Sequence, residues 1–362
     1  MNTTKSARIY FIDILKAIAI FFVIFYHCFS TSVDVRTYGH IGSYFVKSCL
    51  SVSIPLFLMV NGGLLFNKEF SLEKHVRKMV HLVFLVCFWD LLNVTLKMLA
   101  YGESLSVSEY IRKLWFFESG WSNHLWYLMA LFVLYVFFPL FKCAYDCQKK
   151  SLVFFGIIAL AVVFGNSFLN MLLQIGSALL HRPVPVTETN FFNQFNPLRG
   201  LYGYTFVYFL LGGFLFPMSG NLRRKIKPLY PILVFLVSIG LLTGYGLFLS
   251  VSAQEVWDTV SEGFSSVFVL AASLSVFSLS LYSADTSQSR IRRLIQQISQ
   301  NSLGIYLFQS LLTDILSPYY RKLPVSGNLL GDLVFSLSIL FLCSLFTTWC
   351  RKLPYVKAVC SF

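Results

Sequence analysis

The chain has 362 residues, of which 56% are hydrophobic, 17% aromatic and only 12% charged. A soluble domain carries about 25% charged residues, so a water-soluble globular protein is excluded. The net charge of +13 would suggest nucleic acid as a partner of a soluble protein. Here the basic residues sit in short loops between apolar runs, where they set membrane topology, and no nucleic-acid partner is expected.

The first apolar run, residues 9–30, is interrupted by Asp13, Lys16 and His27. Crossing a bilayer takes about 20 apolar residues, and this run suffices. It does not read as a cleavable signal peptide: it exceeds an h-region of about 7–15 residues, contains charges and lacks a small-x-small cleavage site. Ionisable groups within a span are costly and mark functional candidates. Asp13 and Lys16 stand at i, i+3 and can pair. Lys16 and His27 are close to three turns apart, on nearly the same face, about 16 Å from each other along the axis. Such a pair can line a passage through the membrane.

Nine further apolar runs follow, at about 42–66, 78–100, 124–142, 151–171, 199–219, 229–251, 260–283, 300–318 and 331–350. Only helices and closed barrels satisfy the backbone in lipid, and these runs are too continuously apolar for barrel strands, which alternate over about 10 residues. The expected fold is all-α: a polytopic bundle of about ten transmembrane helices, forming one integral-membrane domain over residues 1–362. No tail or loop is long enough for a hydrophilic domain.

The side holding both termini carries 19 of the 29 Lys and Arg, against 6 in the opposite loops and 4 within or at the edges of spans, Lys16, Lys47, Lys97 and Arg199. That bias places both termini in the cytoplasm, in a multi-pass protein of the inner (plasma) membrane. The opposite loops, largest at about 101–123 and 172–198, are acidic and aromatic, with Glu118, Glu188, Asp258, Glu262, Trp115, Trp121 and Trp257. His27 lies toward them and Lys16 toward the cytoplasm. Eight Cys are scattered; Cys143 and Cys147 form the one close pair. A C-x3-C without a second ligand pair is a weak metal signal, and no metal site is expected.

Several segments share one pattern. The opening has Arg8, Asp13, Leu15, Lys16 and His27, a basic residue followed by ten residues and then His. Ser53–Gly62 contains Pro-Leu-Phe and ends Asn-Gly. Arg77 and Lys78 begin the third run. His124-Leu125-Trp126-Tyr127-Leu128, Tyr208–Gly212 and Asn301–Leu307 follow in order. Taken together, these six pieces resemble the acyltransferase 3 family of integral-membrane O-acyltransferases over essentially the whole chain. Gln309 departs from it: many members have His at that place, and an amide cannot shuttle a proton.

The resemblance implies an acyltransferase that moves an acyl group, commonly acetyl, from cytoplasmic acyl-CoA to a hydroxyl of an extracytoplasmic acceptor, a cell-surface glycan or lipid-linked sugar. Acyl-CoA is a co-substrate, and no tightly bound cofactor is implied. His27 is the first choice for catalysis, since attack by a hydroxyl on a thioester needs a base near neutrality. Transfer through an acyl-imidazole and direct transfer both remain open. Lys16 and Asp13 are further catalytic candidates: Lys16 contacts the CoA phosphates or polarises the thioester and Asp13 orients it, or the two form only a structural pair, with Lys16 snorkelling to the cytoplasmic interface. Arg77 and Lys78 either attract CoA phosphates or only enforce topology. His124 and Trp126 are candidates to hold the acceptor, and Arg199 anchors its loop or binds an acidic glycan. Tyr306 and Gln309 read as helix contacts. The competing class is a transporter or exporter of a glycan or glycolipid, with Asp13, Lys16, His27, Asp90 and Asp314 forming a pathway.

Overall fold

A computed structural model describes residues 9–31, 34, 39–114, 122–283, 290–354 and 356–360. Lys5, Arg8, Arg36, Trp115, Glu118 and Trp121 lie outside the described residues. Among the described residues every regular element is a helix.

Each of the ten apolar runs holds a helix. Helix α1 (Tyr10–Cys28) comes first, then α2 (Ile41–Cys49) and α3 (Ser53–Phe66), joined by a short 3-10 turn. Helix α4 (Leu72–Tyr101) precedes a short helix, α5 (Val107–Lys113), that buries no residue and is held by a capping box between Ser106 and Glu109. Next are α6 (Trp126–Cys147), α7 (Lys149–Leu179), α8 (Tyr204–Lys225), α9 (Leu229–Ala253), α10 (Val267–Ser280), α11 (Arg290–Tyr320) and α12 (Leu329–Cys350). Eight helical segments are long and apolar enough to cross a membrane. Of the other two predicted spans, α10 has only 14 residues and α11, with 31, is more polar.

Several helices start later than the apolar runs do, for local reasons. The run 260–283 becomes helix only at Val267, after Ser266 caps the helix by accepting from Phe268 N at 3.2 Å. The run 199–219 becomes helix only at Tyr204, because Gly200 and Tyr202 have φ of 76° and 52°, left-handed values that interrupt a right-handed helix. Pro55 sits in the first turn of α3, where its missing N–H costs nothing. In each case a turn near one end of the bundle carries side chains toward a cavity described below.

α1 is the central helix. It packs against α3, α10, α11 and α12, and Leu15, Ala19, Ile20 and Ile24 are fully buried. The closest pairing is α3 against α8, through reciprocal glycines. A Cβ on Gly62 would meet Phe209 O at 1.8 Å, and one on Gly212 would meet Met59 O at 1.9 Å. Small residues let helix backbones touch, which is how helices associate where lipid removes the hydrophobic drive. The quoted segments Ser53–Gly62 and Tyr208–Gly212 thus meet in space. The perimeter is apolar: Phe154, Ile157 and Phe168 on α7, Leu233 and Val237 on α9, and Phe341 and Leu345 on α12 are exposed, the surface a bilayer covers.

Candidate functional site

At one end of α1, His27 lines a cavity of about 480 Å³. Its side chain is exposed to that space while packed protein surrounds it. No described residue hydrogen-bonds its ring. His124 lines the same cavity from a 3-10 turn, Asn123–Leu125, just before α6. It is buried, and neither ring nitrogen has a hydrogen-bond partner among the described residues. A buried polar group is normally bonded, and an orphan calls for an explanation. Two imidazoles with unused nitrogens on one cavity are placed to handle a hydroxyl proton and to hold its oxygen.

Tyr306 on α11 also lines this cavity, and its hydroxyl donates to the carbonyl of His124. It is therefore more than a helix contact. Its ring lies 5.6 Å from that of Tyr127, whose hydroxyl accepts from Asn61 Nδ2 at 2.8 Å. Much of the lining is aromatic. Trp126 lies 5.6 Å from Tyr202 and 6.0 Å from Phe264, and Tyr204 lies 5.5 Å from Phe264. Such a wall suits the apolar face of a ring-shaped ligand. Arg199 lies outside this cavity and lines a smaller one beside it.

Two carboxylates fasten the surroundings of His27. Asp332, fully buried on α12, accepts from Ser30 N at 2.9 Å, Ser30 Oγ at 2.6 Å, Thr31 N at 3.2 Å, Thr31 Oγ1 at 3.0 Å and Tyr320 OH at 2.9 Å. These bonds pin the chain just past His27. Asp258 holds the loop 254–266 over the cavity. It accepts from Tyr26 OH, from Val260 N at 3.0 Å and from Ser261 Oγ at 3.0 Å, and pairs with Lys47 Nζ at 3.4 Å. Burial pushes the Asp258 carboxyl up, but Lys47 and the bond from Tyr26 outweigh it and hold the group below its ordinary range. Glu262 beside it goes the other way, raised by burial and then by Asp258, Glu188 and Glu255.

At the other end of α1, Asp13 and Lys16 line a cavity of about 770 Å³. Asp13 is buried and accepts from Ser299 Oγ at 2.6 Å. Lys68 and Arg351 line this cavity too, and Arg351 Nη1 donates to Asn301 Oδ1 at 2.9 Å and to Gln300 O at 3.1 Å. Sequence reasoning placed Arg77 and Lys78 here instead. Arg77 is exposed and paired with Glu73 at 2.5 Å, and neither residue lines the cavity. A cavity of about 800 Å³, lined by Lys142 and Asp146, opens beside it and shares Asn67 and Lys68 with it.

Among the described residues the two cavities on α1 have no lining residue in common. On α1 the gap runs from Lys16 to Val23, about 10 Å at 1.5 Å per residue, and is filled by Ala19 and Ile20. On α11 it runs only from Leu303 to Tyr306, about 4.5 Å. The partition is therefore thinnest at α11. The sequence's even spacing of Lys16 and His27 is realised as two chambers, one at each end, rather than as one open passage.

A further buried group stands behind His27. Lys97 on α4, almost fully buried, pairs with Asp314 on α11, and both act electrostatically on His27. Cys28 Sγ lies 3.9 Å from Thr313 Oγ1, where α1 packs on α11. Sequence reasoning made Asp314 a pathway candidate, but gave Lys97 only a place within or at the edge of a span. Gln309, on the same helix, is fully buried with both amide atoms unpaired among the described residues. Lys68 and Arg351 were not singled out because a single Lys or Arg at a span end is indistinguishable from a topology signal. Asp332 was missed because nothing in its local sequence tells that five donors converge on it.

A family model described as an acyltransferase domain matches residues 9–348, nearly the whole chain. No curated protein and no solved structure matches the chain.

Proposed function

The chain belongs to the acyltransferase 3 family, and from that membership we propose that it moves an acyl group from cytoplasmic acyl-CoA to a hydroxyl of an extracytoplasmic cell-surface glycan or lipid-linked sugar. An acetyl group is the favoured cargo, with both termini in the cytoplasm of a cell whose plasma membrane holds the protein. The observation that carries this reading is the pair of chambers at opposite ends of α1: one with unbonded His27 and His124 facing an aromatic wall, the other with Lys16, Lys68 and Arg351.

In this reading the basic chamber takes the donor. Arg and Lys suit the phosphates of CoA, and the Lys and Arg bias of the loops puts that end in the cytoplasm. Asp13, held by Ser299, orients the local cation set. The thioester reaches the acceptor where the partition is thinnest, at Leu303 and Tyr306. His27 takes the proton of the acceptor hydroxyl as its oxygen attacks the thioester carbonyl, and CoA leaves as the thiol. His124 bonds the acceptor, and Trp126 stacks on its ring. An acyl-imidazole on His27 followed by transfer to the hydroxyl gives the same products, and rapid-quench trapping of labelled protein separates the two routes.

Purified protein in proteoliposomes with acetyl-CoA and extracted surface glycan tests the reading. Release of free CoA that requires the glycan, with label appearing in the glycan, is the expected result. Glycan movement across the membrane without CoA release would replace the enzyme by an exporter.

A further inference from the structure

Beside the His27 chamber lies a smaller cavity of about 290 Å³ that the reaction above does not use. The two share Tyr202 as a wall; Gly203 and Ser265 face the smaller one, while their neighbours Tyr204 and Phe264 face the larger. Tyr202 is held with φ of 52°, a left-handed value that costs a bulky residue free energy and persists where surrounding structure imposes it.

Three carboxamides line the smaller cavity, and all three use their side chains in the same way. Asn166 Oδ1 accepts from Phe191 N at 2.8 Å, Asn190 Oδ1 accepts from Asn193 N at 2.8 Å, and Asn196 Oδ1 accepts from Leu198 N at 2.9 Å. The loop thereby fixes each amide plane and leaves each Nδ2 without an acceptor among the described residues. Glu188 adds a carboxylate whose oxygens accept from no described residue. Arg199 is engaged by Asn193 Oδ1 at 3.0 Å. Fixed donors and one acceptor match a ligand rich in neutral hydroxyls, since each sugar hydroxyl both donates and accepts. The volume is at the low end of small-ligand cavities, about 300 Å³, enough for one sugar ring.

We propose that this cavity is a second sugar subsite: it binds the residue next to the one that is acylated, so the acceptor is an oligosaccharide or longer chain draped over Tyr202. This rests on the reading that the acceptor is a glycan. The ring being acylated sits against Trp126 in the His27 chamber, and its neighbour hydrogen-bonds Asn166, Asn190, Asn196 and Glu188. Chain length is then read directly by the enzyme.

The test uses the full chain in lipid nanodiscs, titrated by saturation-transfer NMR. The probes are methyl glycosides of glucose, galactose, mannose and N-acetylglucosamine, and disaccharides built from each. In at least one series the disaccharide binds about tenfold tighter than its methyl glycoside. Asn190→Asp and Asn196→Asp keep the Oδ1 bond to the loop but remove the donor. Each loses about three- to tenfold of that gain, as expected for one hydrogen bond, with binding of the methyl glycoside and thermal stability unchanged. Absence of any length gain, or a gain that survives both substitutions, overturns the subsite. The same samples given acetyl-CoA keep the two readings apart. CoA release without a length gain overturns the subsite alone. A length gain that both substitutions reduce, without CoA release, overturns acyl transfer and leaves the subsite standing.

Discussion

The two chambers on α1 are built from different chemistry. The His27 chamber is walled by Trp126, Tyr202, Tyr204, Phe264 and Tyr306, and among the described residues none that lines it is Lys, Arg, Asp or Glu. The Lys16 chamber is lined by Asp13, Lys16, Lys68 and Arg351 with several polar side chains. One end is suited to a ring with hydroxyls, the other to a polyanion. Because a single helix contributes to both, its position along its own axis and its rotation shape both chambers at once. The ionisable residues of α1 are tolerated because each ends in a chamber rather than in lipid.

The sharpest way to break the contrast is His27→Ala. General acid–base groups contribute about 10²–10⁴-fold, so glycan-dependent CoA release falls by that factor, while protein level and acyl-CoA binding stay the same. Equal loss of acyl-CoA binding would show that the chambers are not separate.

Arg351→Ala tests the other end. Charge-assisted bonds are worth about 1.5–3 kcal/mol, so KM for acyl-CoA rises about tenfold or more with little change in kcat. The increase shrinks at high salt, because part of the attraction is long-range. KM for the glycan is unchanged. A change in glycan KM instead would place Arg351 outside the donor site.

The presence and order of the helices and the apolar perimeter were legible in the sequence because lipid enforces them: every long run had to become a helix. Where helices start was less legible. The runs at 199 and 260 read as span starts, yet a left-handed Tyr202 and a Ser266 cap delay the helix and turn those residues into chamber walls. The quoted segments at Gly62 and Gly212 were visible, but not that they press against each other. For the candidate site, His27, His124 and Trp126 stood out as ionisable or aromatic groups at span ends, and the structure brings them to one cavity. Lys68 and Arg351 did not, since charge alone does not separate a ligand contact from a topology signal. Tyr306 and Asp332 owe their roles to partners 182 and about 300 residues away in sequence, beyond any local pattern.

Asp332→Asn sharpens the comparison by disturbing one end only. An amide offers one acceptor oxygen where the carboxylate takes five bonds, so buried donors on Ser30, Thr31 and Tyr320 lose partners. Each unsatisfied group costs about 1–3 kcal/mol. The thermal midpoint drops by several degrees, and kcat falls severalfold as the chain beyond His27 loosens, while KM for acyl-CoA holds. A fall in donor affinity of the same size would mean that Asp332 stabilises the bundle as a whole.

The smallest effect concerns the loop over the His27 chamber, and its sign follows from Asp258. The carboxyl is held below its ordinary value, chiefly by Lys47 and Tyr26 acting against burial. A depressed carboxyl stabilises the folded state above its unfolded value, about 3.9, and that stabilisation is lost as pH falls through the folded value. Protection of the amides of residues 254–266 against hydrogen exchange, taken relative to their intrinsic rates at each pH, should therefore be constant from about pH 7 to 5 and fall only below about pH 4. Lys47→Ala removes the cation and moves the opening toward higher pH, whereas Arg351→Ala, at the far chamber, leaves it in place. The pair is partly exposed, so at neutral pH the Lys47 variant keeps most of its activity, with less than about a threefold change. Opening of the loop at the same pH in wild type and Lys47→Ala would show that Asp258 is held by its hydrogen bonds alone, and that the charged pair at the rim of the aromatic chamber contributes nothing to keeping it covered.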